Sequence, residues 1–311
     1  MDKLFIKALE AKDKELLKKV PKSDLHSHAA LGHDFEKFRK WHGKPILPPP
    51  AKMKDLYDLD EYIFNVFGPA LNSLESVEYI LDAAFRDAAA DGVTKLQMSV
   101  DSFFIDFFPD REAGFVNFMK EISGKYSEIL EFIPQLGFAR GNSDEYYKTA
   151  EECIETGYFK AVDLYGQELV QDAKDFVPIF RKAKSKGMKL IAHTGEFGDA
   201  ESIRYTAELL ELEEIQHGIS AATSPEVMKW LADNKIQLNI CPTSNVILSR
   251  VESLVKHPIR KLFDNGVKVT VNSDDLMIFG QTVSDEYLNL YNAGVFSAEE
   301  LNAIRLSGLG K

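Results

Sequence analysis

The hydrophobic positions of this chain fall into short runs separated by longer stretches of helical spacing. Residues 1–20 carry Phe5, Ala8, Leu9, Leu16, Leu17 and Val20 at roughly helical intervals, which predicts one amphipathic helix ended by Pro21. Eight β-prone runs follow: Lys22–His28, Val93–Val100, Ile129–Gly137, Lys160–Gly166, Lys189–His193, Glu214–His217, Ile236–Ile240 and Lys268–Asn272. Helical patterns lie between them, as in SLESVEYILDAAFRDAAADG (73–92) and AKDFVPIFRKAKSKG (173–187). Gly92, Gly187 and Gly266 stand where helices would stop before the next strand. Strands alternating with helices predict a parallel sheet with crossover helices, and eight strands close a (β/α)8 TIM barrel. The competing arrangement is an open doubly wound sheet, for which the chain offers no GxGxxG or P-loop sequence.

One connection breaks this rhythm. Residues 29–71 hold the proline-rich KPILPPPAKMK and then LDEYIFNVFGPAL, a lid-like insertion after the first strand. Its aromatic spacing serves a lid helix and a core-facing helix equally well. No repeat or composition shift divides the rest, so residues 1–311 read as one barrel domain.

Composition narrows the function classes. The 311 residues are 45% hydrophobic, enough to bury a sizeable core, and the net charge of −12 argues against a nucleic-acid or anionic-membrane partner. The charged N-terminus lacks the apolar core of a signal peptide, and no apolar run approaches a membrane span. The expectation is a soluble, cytoplasmic protein acting on a neutral or cationic small molecule. Cys153 and Cys241 are far apart and form no CxxC, which suggests neither a disulfide framework nor a thiolate zinc site.

The polar residues cluster at one end of the predicted strands. The first strand ends in His26 and His28, which share a face at i and i+2. The fourth ends in VDLYG with Asp163 and Gly166, the fifth in HTGE with His193 and Glu196, the sixth in QHG with His217. The seventh ends in NICPTSN and the eighth in VNSDD with Asp274 and Asp275. A barrel places its chemistry at this end. Four of the seven histidines at one rim, with carboxylates beside them, suit zinc or a similar divalent ion and a nearby acid–base group. On an extended chain adjacent aspartates point to opposite sides, so one would ligate metal and the other reach substrate. The fourth strand offers Lys160 only at its start, the wrong end for a bridging ligand, which favours one metal over two. His33, His42 and His257 read as residues outside the site.

The ordered set DLHSH, VDLYG, HTGE, QHG, CPTSN and NSDD resembles the adenosine deaminase family, within the metal-dependent amidohydrolase barrels. The resemblance implies one zinc ion (iron or manganese being open) held by His26, His28, His193 and Asp274. It implies Glu196 as the proton shuttle to ring N1 and His217 as the group that orients the attacking water. It implies that Asp275 meets N7, that the Gly166 N–H meets N3, and that Tyr62, Ile63 and Val66 or Phe67 close over the purine. The reaction would be hydrolytic deamination of a 6-aminopurine (adenosine, adenine or a modified nucleoside), releasing ammonia. The chain lacks the PCxxC of the unrelated zinc deaminases. Three departures stand out: Ala30 replaces an acid that contacts ribose in the family, Leu276 replaces a proline after the paired aspartates, and the sequence stops early at SGLGK, with an expected shortening of the last helix. Two other readings stay open: a mononuclear barrel hydrolase of an amide, lactone or phosphoester, and a non-catalytic binding protein.

Overall fold

The computed structural model describes residues 1–311. Eight parallel strands stand in sequential order: β1 (Lys22–His28), β2 (Val93–Asp101), β3 (Glu131–Ala139), β4 (Ala161–Tyr165), β5 (Lys189–Thr194), β6 (Glu214–His217), β7 (Gln237–Ile240) and β8 (Lys268–Val271). Helices follow the strands and cover the outside, giving a TIM barrel. Closure between β8 and β1 is irregular. The Asp274 N–H donates to the His26 carbonyl at 2.9 Å, and the Leu25 N–H donates to the Asn272 side chain at 2.8 Å. A side chain thus replaces part of the ladder where β8 ends, at Val271 rather than at Asn272.

Two boundaries differ from the pattern for identifiable reasons. The N-terminal segment forms two helices, Asp2–Glu10 and Lys14–Leu17. Lys12 adopts φ +53°, and the Asp13 carboxylate accepts the Leu16 N–H at 2.9 Å, so Asp13 caps a new helix instead of continuing the old one. Strand β3 begins at Glu131, because the Ile129 and Leu130 N–H groups still bond back to the Tyr126 carbonyl, at 3.0 and 2.9 Å.

The barrel interior beneath the rim is polar and buried. The Glu214 carboxylate accepts from Lys189 Nζ at 2.7 Å, Gln97 Nε2 at 2.8 Å and Asn239 Nδ2 at 3.1 Å. The apolar core lies between sheet and helices, with Leu96, Val162, Ile215 and Leu238 among its buried strand residues. No helix is long and apolar enough to cross a membrane.

Candidate active site

The histidines at the rim are oriented by what their outer nitrogens touch. His26 Nδ1 lies 3.1 Å from the Asn239 carbonyl, so that nitrogen carries the proton. His193 Nδ1 lies 3.1 Å from the buried Asp163 carboxylate, with the same consequence. Both Nε2 atoms therefore present lone pairs, and they face each other at 3.0 Å. Asp274 Oδ1 lies 3.7 Å from His26 Nε2 and 3.9 Å from His28 Nε2. Burial holds these imidazoles neutral, pushing His26 down to about 4 and His193 well below its ordinary value. Opposed lone pairs and a carboxylate at these separations call for a cation between them. A tetrahedral zinc site has donor atoms about 3.4 Å apart, within the observed range, so the donor set fits one divalent metal. Cys241 Sγ lies 3.3 Å from His26 Nδ1, on the ring's outer side, and burial pushes its thiol far up, which keeps it protonated.

Asp274 adopts φ +60°. The chain is not extended there, which corrects the backbone premise for the pair, and both aspartates line the cavity. Ligand atoms of His28, Asp274 and Asp275 lie within 4.8 Å of one another. Asp275 Oδ1 is buried without a protein partner, and burial with Asp274 beside it pushes the carboxyl well up. His217 is also left-handed, at φ +61°, so two residues of the site hold conformations that cost energy and persist only where their surroundings fix them.

Glu196 sits at the centre of a directed hydrogen-bond chain. The Ile259 N–H donates to His257 Nδ1 at 3.1 Å, which leaves the proton on His257 Nε2. That nitrogen donates to Asn245 Oδ1 at 3.2 Å. The Asn245 amide must then present its NH2 to Glu196 Oε1 at 2.8 Å and to His217 Nδ1 at 3.2 Å. His217 Nε2 is consequently the protonated nitrogen, 3.3 Å from Glu196 Oε2. Burial, with Asp274 and Glu168 nearby, pushes the Glu196 carboxyl well above its ordinary value. His257, read from its turn-like sequence as outside the site, is buried at 3% exposure and supports it from behind. Only the fold brings residue 257 against residue 245.

The turn carrying Glu196 is held by Glu168. One carboxylate accepts four successive backbone N–H groups, from Gly195, Glu196, Phe197 and Gly198, at 2.8, 2.9, 3.0 and 3.2 Å. Gly195 is at φ +72°, and a Cβ there would lie 2.3 Å from the Ile203 side chain, so the turn requires glycine.

These groups open into a cavity of about 350 Å³ whose lining includes His28, His193, Glu196, His217, Asp274 and Asp275. Gly166 lines it at φ +85°. His26 stands behind this wall at 1% exposure. Of the expected lid residues only Ile63 reaches the cavity, joined by Leu56, Leu59 and Phe64. The Tyr62 hydroxyl donates to the Leu47 carbonyl at 2.7 Å, and Phe67 packs on Phe38 and His33, ring centroids 5.2 and 6.0 Å away. Val66 does not line the cavity. The reason is local: Leu56, Leu59, Asp60, Ile63 and Phe64 stand at i, i+3, i+4, i+7 and i+8 and make one face toward the cavity, on which Tyr62 does not lie, and the π-helical turn Ile63–Phe67 follows. His33 is buried among these aromatics, away from the site.

Sequence reasoning missed Asp163, Glu168, Asn245 and His257 as functional supports. Asp163 and Asn245 fall inside the motifs VDLYG and CPTSN, and that placement was the available signal.

Comparison with known proteins bears on the family and the fold. The sequence pattern of the family described as Adenosine deaminase matches residues 140–310. A putative adenosine/adenine deaminase of Treponema pallidum is 35% identical over 94% of this chain and 100% of its own length. The crystal structure of an adenine deaminase from Arthrobacter aurescens superposes with TM-score 0.80 over 93% of each chain at 24% identity. An Arabidopsis N6-mAMP deaminase superposes with TM-score 0.80 over 95% of this chain and 94% of that one, at 18% identity.

Proposed function

The chain belongs to the adenosine deaminase family, and from that premise we propose that it catalyses zinc-dependent hydrolytic deamination of an adenine-type 6-aminopurine. The observation that carries the reading is Glu196: a buried carboxyl fixed by Asn245, beside His217, at the wall of a cavity that Asp275 and Gly166 also line. One divalent ion held by His26, His28, His193 and Asp274 would lower the pKa of a water and so supply the nucleophile.

The chain's own groups do the rest. Glu196 hands its proton to ring N1 as C6 is attacked, which keeps negative charge off an aromatic ring that is a poor electrophile. Acid–base help of this kind contributes about 10²–10⁴-fold. His217, with its proton on Nε2, donates a hydrogen bond towards the attacking oxygen. Asp275 meets N7, with its Oδ1 free of any protein partner and its carboxyl pushed up by burial beside Asp274. The Gly166 N–H meets N3, and Ile63 with Leu59 covers the ring plane. The cavity lining contains no lysine or arginine, which favours an unphosphorylated purine over a monophosphate such as the one in the name of the Arabidopsis structure.

Ammonia release from zinc-loaded protein tests this reading, with adenine, adenosine and 2′-deoxyadenosine as substrates. Glu196→Gln is expected to retain metal and lose at least 10²-fold in kcat. Asp274→Ala is expected to lose metal, read by elemental analysis after dialysis. Full turnover by Glu196→Gln would remove Glu196 from the proton-transfer role.

A further inference from the structure

Across the barrel mouth from Glu196 the cavity wall is formed by a second polar cluster. Ser99 of β2 pairs with His28 of β1, and the Ala29 N–H donates to the Ser99 carbonyl at 2.8 Å. Two residues further along β2, on the same face as Ser99, stands Asp101, while β1 has ended at His28 and Ala30 lies in the turn that follows it. Ala30 and Asp101 line the same cavity, so the wall that lacks a carboxylate at position 30 carries one on β2. Asp101 is 8% exposed and lines the cavity.

Three protein donors hold it. The Phe103 N–H donates to Oδ1 at 2.7 Å, the Tyr146 hydroxyl lies 3.2 and 3.1 Å from the two oxygens, and the Tyr165 hydroxyl donates to Oδ2. Tyr146 is itself fixed by accepting the Ala139 N–H at 2.9 Å. Tyr165 belongs to β4 and reaches β2 by lying across β3. Gly137 of β3 pairs with Asp101 on one side and Asp163 on the other. A Cβ at 137 would lie 2.8 Å from Tyr165 Cε1, so the crossing depends on glycine. A carboxylate offers about four acceptor positions. Three protein donors leave one, on a residue that lines the cavity.

We propose that Asp101, held by Tyr146 and Tyr165, is a specificity-determining residue that accepts a hydrogen bond from an uncharged N–H or O–H donor at the imidazole end of the purine. The proposal rests on the purine reading above, in which N3 lies at Gly166, the residue after Tyr165. The donor is either N9–H of the free base or a hydroxyl of the ribose attached there. Both are the same chemistry, whereas a phosphate brought to this wall would meet carboxylates and no cation.

The test measures kcat/KM for adenine, adenosine, 9-methyladenine and adenosine 5′-monophosphate with wild-type protein, Asp101→Asn and Tyr165→Phe. 9-Methyladenine lacks both donors. Wild type is expected to prefer adenine or adenosine over it by at least tenfold, and to process the monophosphate about 100-fold less well than adenosine. Asp101→Asn is expected to lower kcat/KM for the preferred substrate about 10–100-fold, mainly through KM, and to leave 9-methyladenine within threefold. Whichever of adenine and adenosine suffers that loss identifies the donor. Tyr165→Phe, which keeps the ring and removes the hydroxyl, is expected to give a smaller loss of the same kind, and it decides the matter if Asp101→Asn fails to fold. An equal loss on 9-methyladenine, no loss on the preferred substrate, or good turnover of the monophosphate overturns the proposal while leaving the deaminase reading standing. No ammonia from any compound with wild type overturns that reading, and the role of Asp101 with it.

Discussion

Glu168→Gln probes how far the position of Glu196 depends on a single carboxylate. Two of the four N–H groups, from Glu196 and Phe197, bond to Oε1, and two, from Gly195 and Gly198, bond to Oε2. Glutamine supplies one acceptor oxygen, so two N–H groups would face an NH2, and the other two would lose their charged partner. Hydrogen bonds to a charged group are worth about 1.5–3 kcal/mol each. Glu168 is only half-buried, so water recovers part of the loss, and about 2–4 kcal/mol remains. If a third to two thirds of this falls on the placement of Glu196 and the remainder on global stability, kcat falls roughly 3–100-fold. The assay is steady-state ammonia release, with amide hydrogen exchange at residues 195–198 measured in parallel. Faster exchange at those amides together with the loss of kcat is the expected pair. A kcat within twofold of wild type with unchanged exchange would refute the reasoning, since the four bonds would then contribute nothing to the site.

Two further outcomes are expected. His257→Phe frees the Asn245 amide to rotate and His217 to change tautomer, so kcat is expected to fall about 5–100-fold with little change in KM; His257→Gln, whose amide can reach the same oxygen, is expected to recover part of it, and wild-type kcat in the phenylalanine variant would remove the relay. His33 is buried against Phe38 and Phe67, and burial pushes its pKa down to about 4. The unfolded chain takes up that proton near pH 6.5 and the folded protein does not, so stability is complete above about pH 6.5 and is lost as pH falls towards 4, by about 3 kcal/mol. Denaturant unfolding of wild type and His33→Phe between pH 7.5 and 4 checks this, and identical pH slopes would sink it.

The sequence by itself determined the strands, the end of the sheet that carries the chemistry and the residues that gather there. It could do so because strand periodicity, helix-stopping glycines and histidines at strand ends are local signals. His26, His28, His193, Glu196, His217, Asp274 and Asp275 each lie within a few residues of a strand terminus, and strand direction alone brings them to one rim. Tyr62 and Phe67 do not reach the cavity: its face is made by Leu56, Leu59, Asp60, Ile63 and Phe64 at ordinary helical spacing, while Tyr62 bonds to Leu47 and Phe67 packs on Phe38, contacts set by the fold of the insertion. The roles expected of the paired aspartates did not depend on the backbone, but the left-handed turn at Asp274, whose N–H bonds to β1 across the barrel seam, replaces the extended conformation assumed for them. Tertiary structure alone decided the hydrogen-bond chain from Ile259 to Glu196, the Glu168 clamp on residues 195–198, and the meeting of Asp101 with Tyr146 and Tyr165 over Gly137. Each joins residues from different strand–helix units. Barrel closure brings those units together, and no property of either partner's own neighbourhood in the chain records the encounter.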